Sequence, residues 1–151
     1  MSMISICAAY FCQAFMMDLG YTEKAVKYKM NVCVEVSESA FDHGVDQALA
    51  VSVAHVESAF SRSARSSAGA VGPMQVIPKF WCDGASCDHV EAGMRALKTY
   101  VSKHGTNDGL CAYFSGSKCR ASKSRIRYRN KVLSFYRTAK RIWSGECVMG
   151  C

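Results

Sequence analysis

Hydrophobic residues recur at intervals of three and four along much of the chain, and nowhere do they alternate over a convincing length. That pattern predicts helices and no sheet. Met3 to Met17 is uncharged and mostly apolar, with Ile4, Cys7, Ala8, Phe11, Phe15 and Leu19 on one helical face. Glu23 to about Phe41 places Val26, Met30, Cys33 or Val34, and Ser37 in succession, and His43-Gly44 breaks it. Asp46 then suits an N-cap, because its carboxylate can accept from the unpaired amides of a first turn; that helix runs to about Phe60. Ser61 to Gly72, rich in Ser, Ala, Gly and Arg, reads as a loop. Glu91 to His104 is a further helix closed by Gly105, Leu110 to Ser115 a shorter one, and Ile126 to Trp143 a long basic one. The fold class predicted is mainly α. The 151 residues suffice for a single core that needs neither metal nor disulfides.

The formal charge of +7 is unevenly spread. Gly109 to Gly145 holds ten basic residues and no acidic one. Such a segment suits an anionic polymer: nucleic acid, anionic lipid, or a bacterial wall with its carboxylates and phosphates. The basic helix offers few exposed aromatics on which bases could stack, so no specific nucleic-acid partner is expected. No apolar run reaches the ~20 residues of a transmembrane helix. Residues 1–22 form a segment of their own, read as an apolar helix that packs on the core, anchors to an envelope or docks on a partner protein. They lack the basic start of a secretory leader. Residues 23–151 form the main domain.

Nine cysteines stand at 7, 12, 33, 82, 87, 111, 119, 147 and 151. None of the spacings is CxxC and the four histidines have no ligand spacing, so no metal or other cofactor is expected. Cys82/Cys87, Cys111/Cys119 and Cys147/Cys151 each close a short loop, which points to local disulfides in an oxidising compartment, with reduced buried cysteines as the alternative. The odd count leaves at least one thiol unpaired or bonded between chains.

Glu57 is the anomalous residue of its helix. Ala54, Val53 and Ala50 precede it by three, four and seven positions, so its side chain leaves from the apolar face, whereas Ser52 and His55 take positions expected to face solvent. A carboxylate against an apolar face holds its proton more tightly, as a general acid near neutral pH must. The alternative is a Glu at a helix end reaching solvent, Arg62 or Arg65.

His55-Val56-Glu57-Ser58-Ala59-Phe60, followed by Ser66-Ser67-Ala68-Gly69-Ala70-Val71-Gly72-Pro73-Met74-Gln75-Val76-Ile77-Pro78, resembles the lytic transglycosylases with a goose-lysozyme-like catalytic domain. The family pattern is a Glu-Ser pair ending a helix, then Ser-x-x-Gly-Ala-x-Gly-Leu-Met-Gln, then Ala-Tyr-Asn-x-Gly, and a Tyr opening a final helix. Ala112-Tyr113-Phe114-Ser115-Gly116 matches the third element, and Tyr128-Arg129-Asn130-Lys131-Val132-Leu133 the fourth. The order is the family's, over roughly residues 25 to 140.

The resemblance implies a single-domain lysozyme-like fold, with residues 23–151 as the catalytic domain. It also implies cleavage of the β-1,4 bond between N-acetylmuramic acid and N-acetylglucosamine in peptidoglycan glycan strands. Glu57 would be the single catalytic group, leaving Asp83, Asp88, Glu91 and Asp108 as surface, cap or loop residues. Ser66 would contact the acetamido or peptide-bearing side of the sugar, Met74 would pack beneath the saccharide, and Gln75 would hydrogen-bond near the cleaved linkage. Tyr113 would brace Glu57 and Tyr128 would line the cleft. Two residues depart from the pattern. Pro73 replaces the usual Leu and stiffens the loop; Phe114 replaces the usual Asn and deletes a polar contact near the carboxylate. Arg125, Arg127, Arg129, Lys131, Arg137, Lys140 and Arg141 would hold the anionic wall. The expected setting is periplasmic or extracellular, with a virion-associated enzyme that opens the wall during phage entry as one form of it, docked through residues 1–22. The alternatives are a lysozyme-type hydrolase using the same Glu57, and a wall-binding or virion structural protein that keeps the fold without turnover.

Overall fold

Six helices follow one another among the described residues: α1 (Met3–Asp18), α2 (Glu23–His43), α3 (Gln47–Ser58), α4 (Pro78–Trp81), α5 (His89–Ser115) and α6 (Lys123–Gly150). The structure, a computed structural model, describes residues 2–150 and the side chains of 2–145. Within them there is no strand; isolated bridges tie Val71 to Arg65 and to Val76. The fold is mainly α, as the periodicity predicts, and lysozyme-like, as the resemblance implies.

Local chemistry sets most of the helix ends. Ser2, Thr22, Asp46 and Asp88 each accept a backbone N–H of the following turn through the side chain, satisfying amides that the helix leaves unpaired. Gly44 and Gly116 close α2 and α5 in the left-handed conformation. The two helices expected over 91–115 meet end to end within α5 and part, as expected, at Gly105, where φ 76° and ψ 172° are accessible only because there is no Cβ. The four-residue α4, with Pro78 in its first turn, has no counterpart in the periodicity.

α3 runs between α2 and α6, and α1 packs on both of those. This corrects one reading. Ser52 does not face solvent but is fully buried, its hydroxyl donating to Ala48 O at 2.7 Å. A helix covered on both sides has no solvent face, so its polar residue is satisfied by the preceding turn. His55 is likewise half-buried, its Nδ1 2.8 Å from Tyr21 Oη and its ring edge-on to Phe15 and Phe135. Burial, then the charges of Lys131 and Lys29, lower its pKa to about 4 and keep it neutral.

α1 buries Cys7 and Ala8, and its Phe11, Cys12, Phe15 and Met16 join the same core as Val36, Leu49, Val53 and Leu97. Phe11 meets Trp143 of α6 edge-on at 5.0 Å. Each such buried phenylalanine contributes about 2–3 kcal/mol. Three disulfides are described. Cys82–Cys87 and Cys111–Cys119 are the short loops expected, while Cys12–Cys33 joins α1 to α2. The Cys147/Cys151 pair lies outside the described side chains. No helix is long and apolar enough to cross a membrane among the described residues.

Candidate active site

Glu57 occupies the last turn of α3, and the chain must turn sharply after it. Ala59 and Phe60 both take positive φ, 49° and 61°. For residues with a Cβ this costs on the order of 1–2 kcal/mol each. Three hydrogen bonds and one buried ring hold the turn. The Ser58 hydroxyl donates to Pro73 O at 2.7 Å and accepts from Ser61 N at 3.0 Å. Lys29 Nζ donates to Ala59 O at 2.7 Å. Phe60 is buried in the core. Ser58 thereby clamps the helix end to the loop carrying Pro73, Met74 and Gln75.

In front of Glu57 lies a cleft of about 690 Å³. Ser66, Gln75 and Ile77 line it from the loop, Phe80 and Trp81 from α4, and Tyr100, Tyr113 and Phe114 from α5. Among the described residues that line it, Glu57 is the only carboxylate. Trp81 packs edge-on against Tyr100 at 5.8 Å, and Arg95 Nη2 holds Trp81 O at 2.7 Å. Phe80, Trp81 and Tyr100 escaped the sequence reading. Their signals were an aromatic pair directly after Pro78 and a tyrosine one helical turn beyond Ala96.

Of the residues expected in the site, Glu57, Ser66, Gln75 and Tyr113 line the cleft. Ser66 Oγ accepts from Ala70 N at 3.0 Å on the rim. Gln75, with φ 51°, donates its amide to Ala64 O and Gly72 O at 3.2 and 3.0 Å, which fixes the side chain. Met74 lies behind the wall, fully buried and seated over Gly93, where a Cβ would stand 2.4 Å from its own. The tyrosines take different contacts from those expected. Tyr128, on α6 behind Glu57, donates to Glu57 Oε1 at 2.5 Å. Tyr113 instead donates to Met74 O at 2.6 Å, although it lies close enough to Glu57 to feel its charge.

Burial raises the Glu57 pKa from 4.5 to about 7, against the downward pull of the Tyr128 hydrogen bond and of Lys131. Tyr113 and Tyr128 are pushed well up, first by burial and then by Glu57, so both remain neutral donors. The site therefore holds one carboxyl that is part protonated and part ionised near neutral pH. The remaining acids have other duties: Asp88 caps α5, Glu91 accepts from Ser39 and pairs with His43, and Asp108 accepts from Cys119 N. The side-chain ligand atoms of Cys82, Cys87 and His89 lie within 4.8 Å of one another, but the two sulfurs are joined and offer no thiolate to a metal.

Residues 34–81 match the family of the Transglycosylase SLT domain. The match takes in the second half of α2, all of α3 with Glu57, the loop carrying Ser66, Met74 and Gln75, and α4. It ends before Tyr113 and Tyr128. No characterised protein and no solved structure matches the chain. Around its helix-end glutamate and the loop clamped to it, the chain is thus similar to the domain of the lytic transglycosylases.

Proposed function

We propose that the chain is a peptidoglycan lytic transglycosylase in which Glu57 serves first as acid and then as base. The observation that carries this reading is a single carboxyl in an apolar cleft, with a pKa of about 7. Protonated Glu57 gives its proton to the glycosidic oxygen as the bond to C1 of N-acetylmuramic acid breaks. Ionised Glu57 then takes the proton from the C6 hydroxyl of the same sugar, whose oxygen closes on C1. The products are a 1,6-anhydro end and a free 4-hydroxyl, and the carboxyl is again protonated. A glycosidase that activates water or forms a covalent intermediate ordinarily uses a second carboxylate. A one-carboxyl cleft suits the intramolecular closure instead.

Phe80, Trp81 and Tyr100 supply apolar walls for sugar rings, and Gln75 and Ser66 supply polar groups to orient them. Three disulfides support action in an oxidising compartment, periplasmic or extracellular. Arg127, Lys131, Arg137, Lys140 and Arg141, all exposed, support attraction of α6 to the anionic wall.

The test is mass spectrometry of muropeptides released from purified sacculi by wild type and by Glu57→Gln. Anhydro-muropeptides from wild type alone are the expected result. Reducing ends, lost in the variant, would make the chain a hydrolase with the same acid. Binding to sacculi with no fragments released would make it a wall-binding protein.

A further inference from the structure

Position 114 is where the chain departs from the transglycosylase pattern beside the carboxyl, and its surroundings suggest a use for the departure. Phe114, near the end of α5, is 46% exposed and lines the cleft. Its ring lies on that of Tyr128, with centroids 4.7 Å apart and planes 21° from parallel. Tyr128 is only 8% exposed and does not line the cleft, yet its hydroxyl is on Glu57. Phe114 therefore stands between the cleft and the hydrogen bond behind the acid.

We propose that Phe114 is a positioning residue for Glu57: by stacking on Tyr128 it holds the phenol hydroxyl on the carboxyl and keeps water out of the space behind it. The proposal rests on Glu57 being the acid–base of the reaction. A group that must give a proton and then recover one within a single turnover gains from a partner that cannot rotate away. An asparagine here would offer no ring to stack and would admit water.

The groups facing Glu57 are Tyr113 from α5 and Tyr128 and Lys131 from α6. Both tyrosines are neutral, so the balance is between burial, which raises the pKa, and the pull of the Tyr128 bond and Lys131, which lowers it. Loss of the Phe114 ring weakens burial, the largest of these effects. Water entering the gap takes over the donation that Tyr128 made. Glu57 should then release its proton at lower pH.

The experiment is an NMR titration of the Glu57 carboxyl carbon, assigned by its loss in Glu57→Gln, in wild type, Phe114→Ala, Phe114→Leu and Phe114→Trp. The pH profile of muropeptide release is followed in parallel. The expected result is a midpoint lower by roughly one pH unit in Phe114→Ala. Phe114→Leu, which covers without stacking, should fall in between, and Phe114→Trp should keep the wild-type value. The descending limb of kcat/KM should move with the midpoint. An unchanged midpoint in both the Ala and Leu variants, with activity lost only through KM, would overturn the proposal and leave Phe114 a platform for sugar. Should Phe114→Ala not fold, the Leu and Trp pair decides. The failure of the catalytic reading looks different: wild type releases no fragments, or Glu57→Gln keeps its activity, while the carboxyl titration still reports on the clamp.

Discussion

Tyr128 and Glu57 lie 71 positions apart in the chain, and the phenol hydroxyl of one rests 2.5 Å from a carboxyl oxygen of the other. The contact joins α6 to the end of α3 and opposes the dominant effect on the acid. Burial disfavours the charged carboxylate, while the hydroxyl donates to it and favours it. Tyr128→Phe removes the donor and keeps the ring, its stacking on Phe114 and most of the burial. The Glu57 pKa should then rise, by roughly one unit. In a pH profile of muropeptide release the variant should lose kcat while its descending limb moves to higher pH, opposite to the movement expected of Phe114→Ala. A limb that stays in place would mean that the hydrogen bond does not tune the acid.

Glu57 also makes stability depend on pH, in the less common direction for a carboxyl. Its pKa is about 7 in the fold against 4.5 for an unperturbed Glu. Below pH 4.5 the group is protonated in both states and costs nothing. Between pH 4.5 and 7 the unfolded chain gives up the proton while the folded one keeps it, so stability falls as pH rises. The shift corresponds to about 3 kcal/mol once pH exceeds 7. Glu57→Gln, neutral at every pH, should therefore be more stable than wild type at pH 8, with the gap closing towards pH 4. Urea unfolding at the two values checks this. A variant less stable than wild type at pH 8 would mean that the carboxylate is well solvated after all.

What the sequence made legible, and what it did not, divides along the range of the interactions. Asp46 and Gly44 announce the helix boundaries because caps act within a few residues. Glu57 stands out because three residues before it set the character of its face. The misreading of Ser52 came from assuming an amphipathic α3; nothing in its own residues says that both α2 and α6 cover it. Tyr113 and Tyr128 could be placed near the acid by motif order, but which hydroxyl reaches it depends on how α5 and α6 approach α3. Cys12–Cys33 was hidden for the same reason, since its spacing of 21 residues records no contact between helices. The aromatic wall of Phe80, Trp81 and Tyr100 is assembled from two elements, one of them a helix of four residues.

Tyr113 acts on the loop rather than on the acid. Its hydroxyl holds Met74 O at 2.6 Å, and Met74 sits over Gly93 with the Gln75 side chain next along the loop. Tyr113→Phe leaves that carbonyl without its donor at a buried place, a loss of about 1–3 kcal/mol. The expected kinetic outcome is a higher KM as Gln75 shifts, with the descending limb of the pH profile nearly in place. Gly93→Ala should act on the same loop from below, because the added methyl meets the Met74 side chain directly. Thermal unfolding and steady-state rates on soluble glycan strands separate the two effects. A large pH shift in Tyr113→Phe would assign this hydroxyl to Glu57 instead.

The disulfides should differ in what they hold. Cys12–Cys33 bridges 21 positions and ties α1 to α2, whereas Cys82–Cys87 spans only 5, within the segment between α4 and α5. Loop-closure entropy favours the longer bridge, at about 3 kcal/mol for a loop of this size. The double variant Cys12→Ser with Cys33→Ser should therefore unfold at clearly lower denaturant, yet release the same muropeptides with the same pH profile, since its sulfurs lie in the core between α1 and α2 and not on the cleft. Cys82→Ser with Cys87→Ser should cost less stability and more activity, because Trp81 precedes Cys82 directly and forms the cleft wall. The comparison is made by guanidinium unfolding and by fragment release from sacculi. If the first pair abolished activity in a protein that still folds, α1 would contribute to the cleft by a route its packing does not account for.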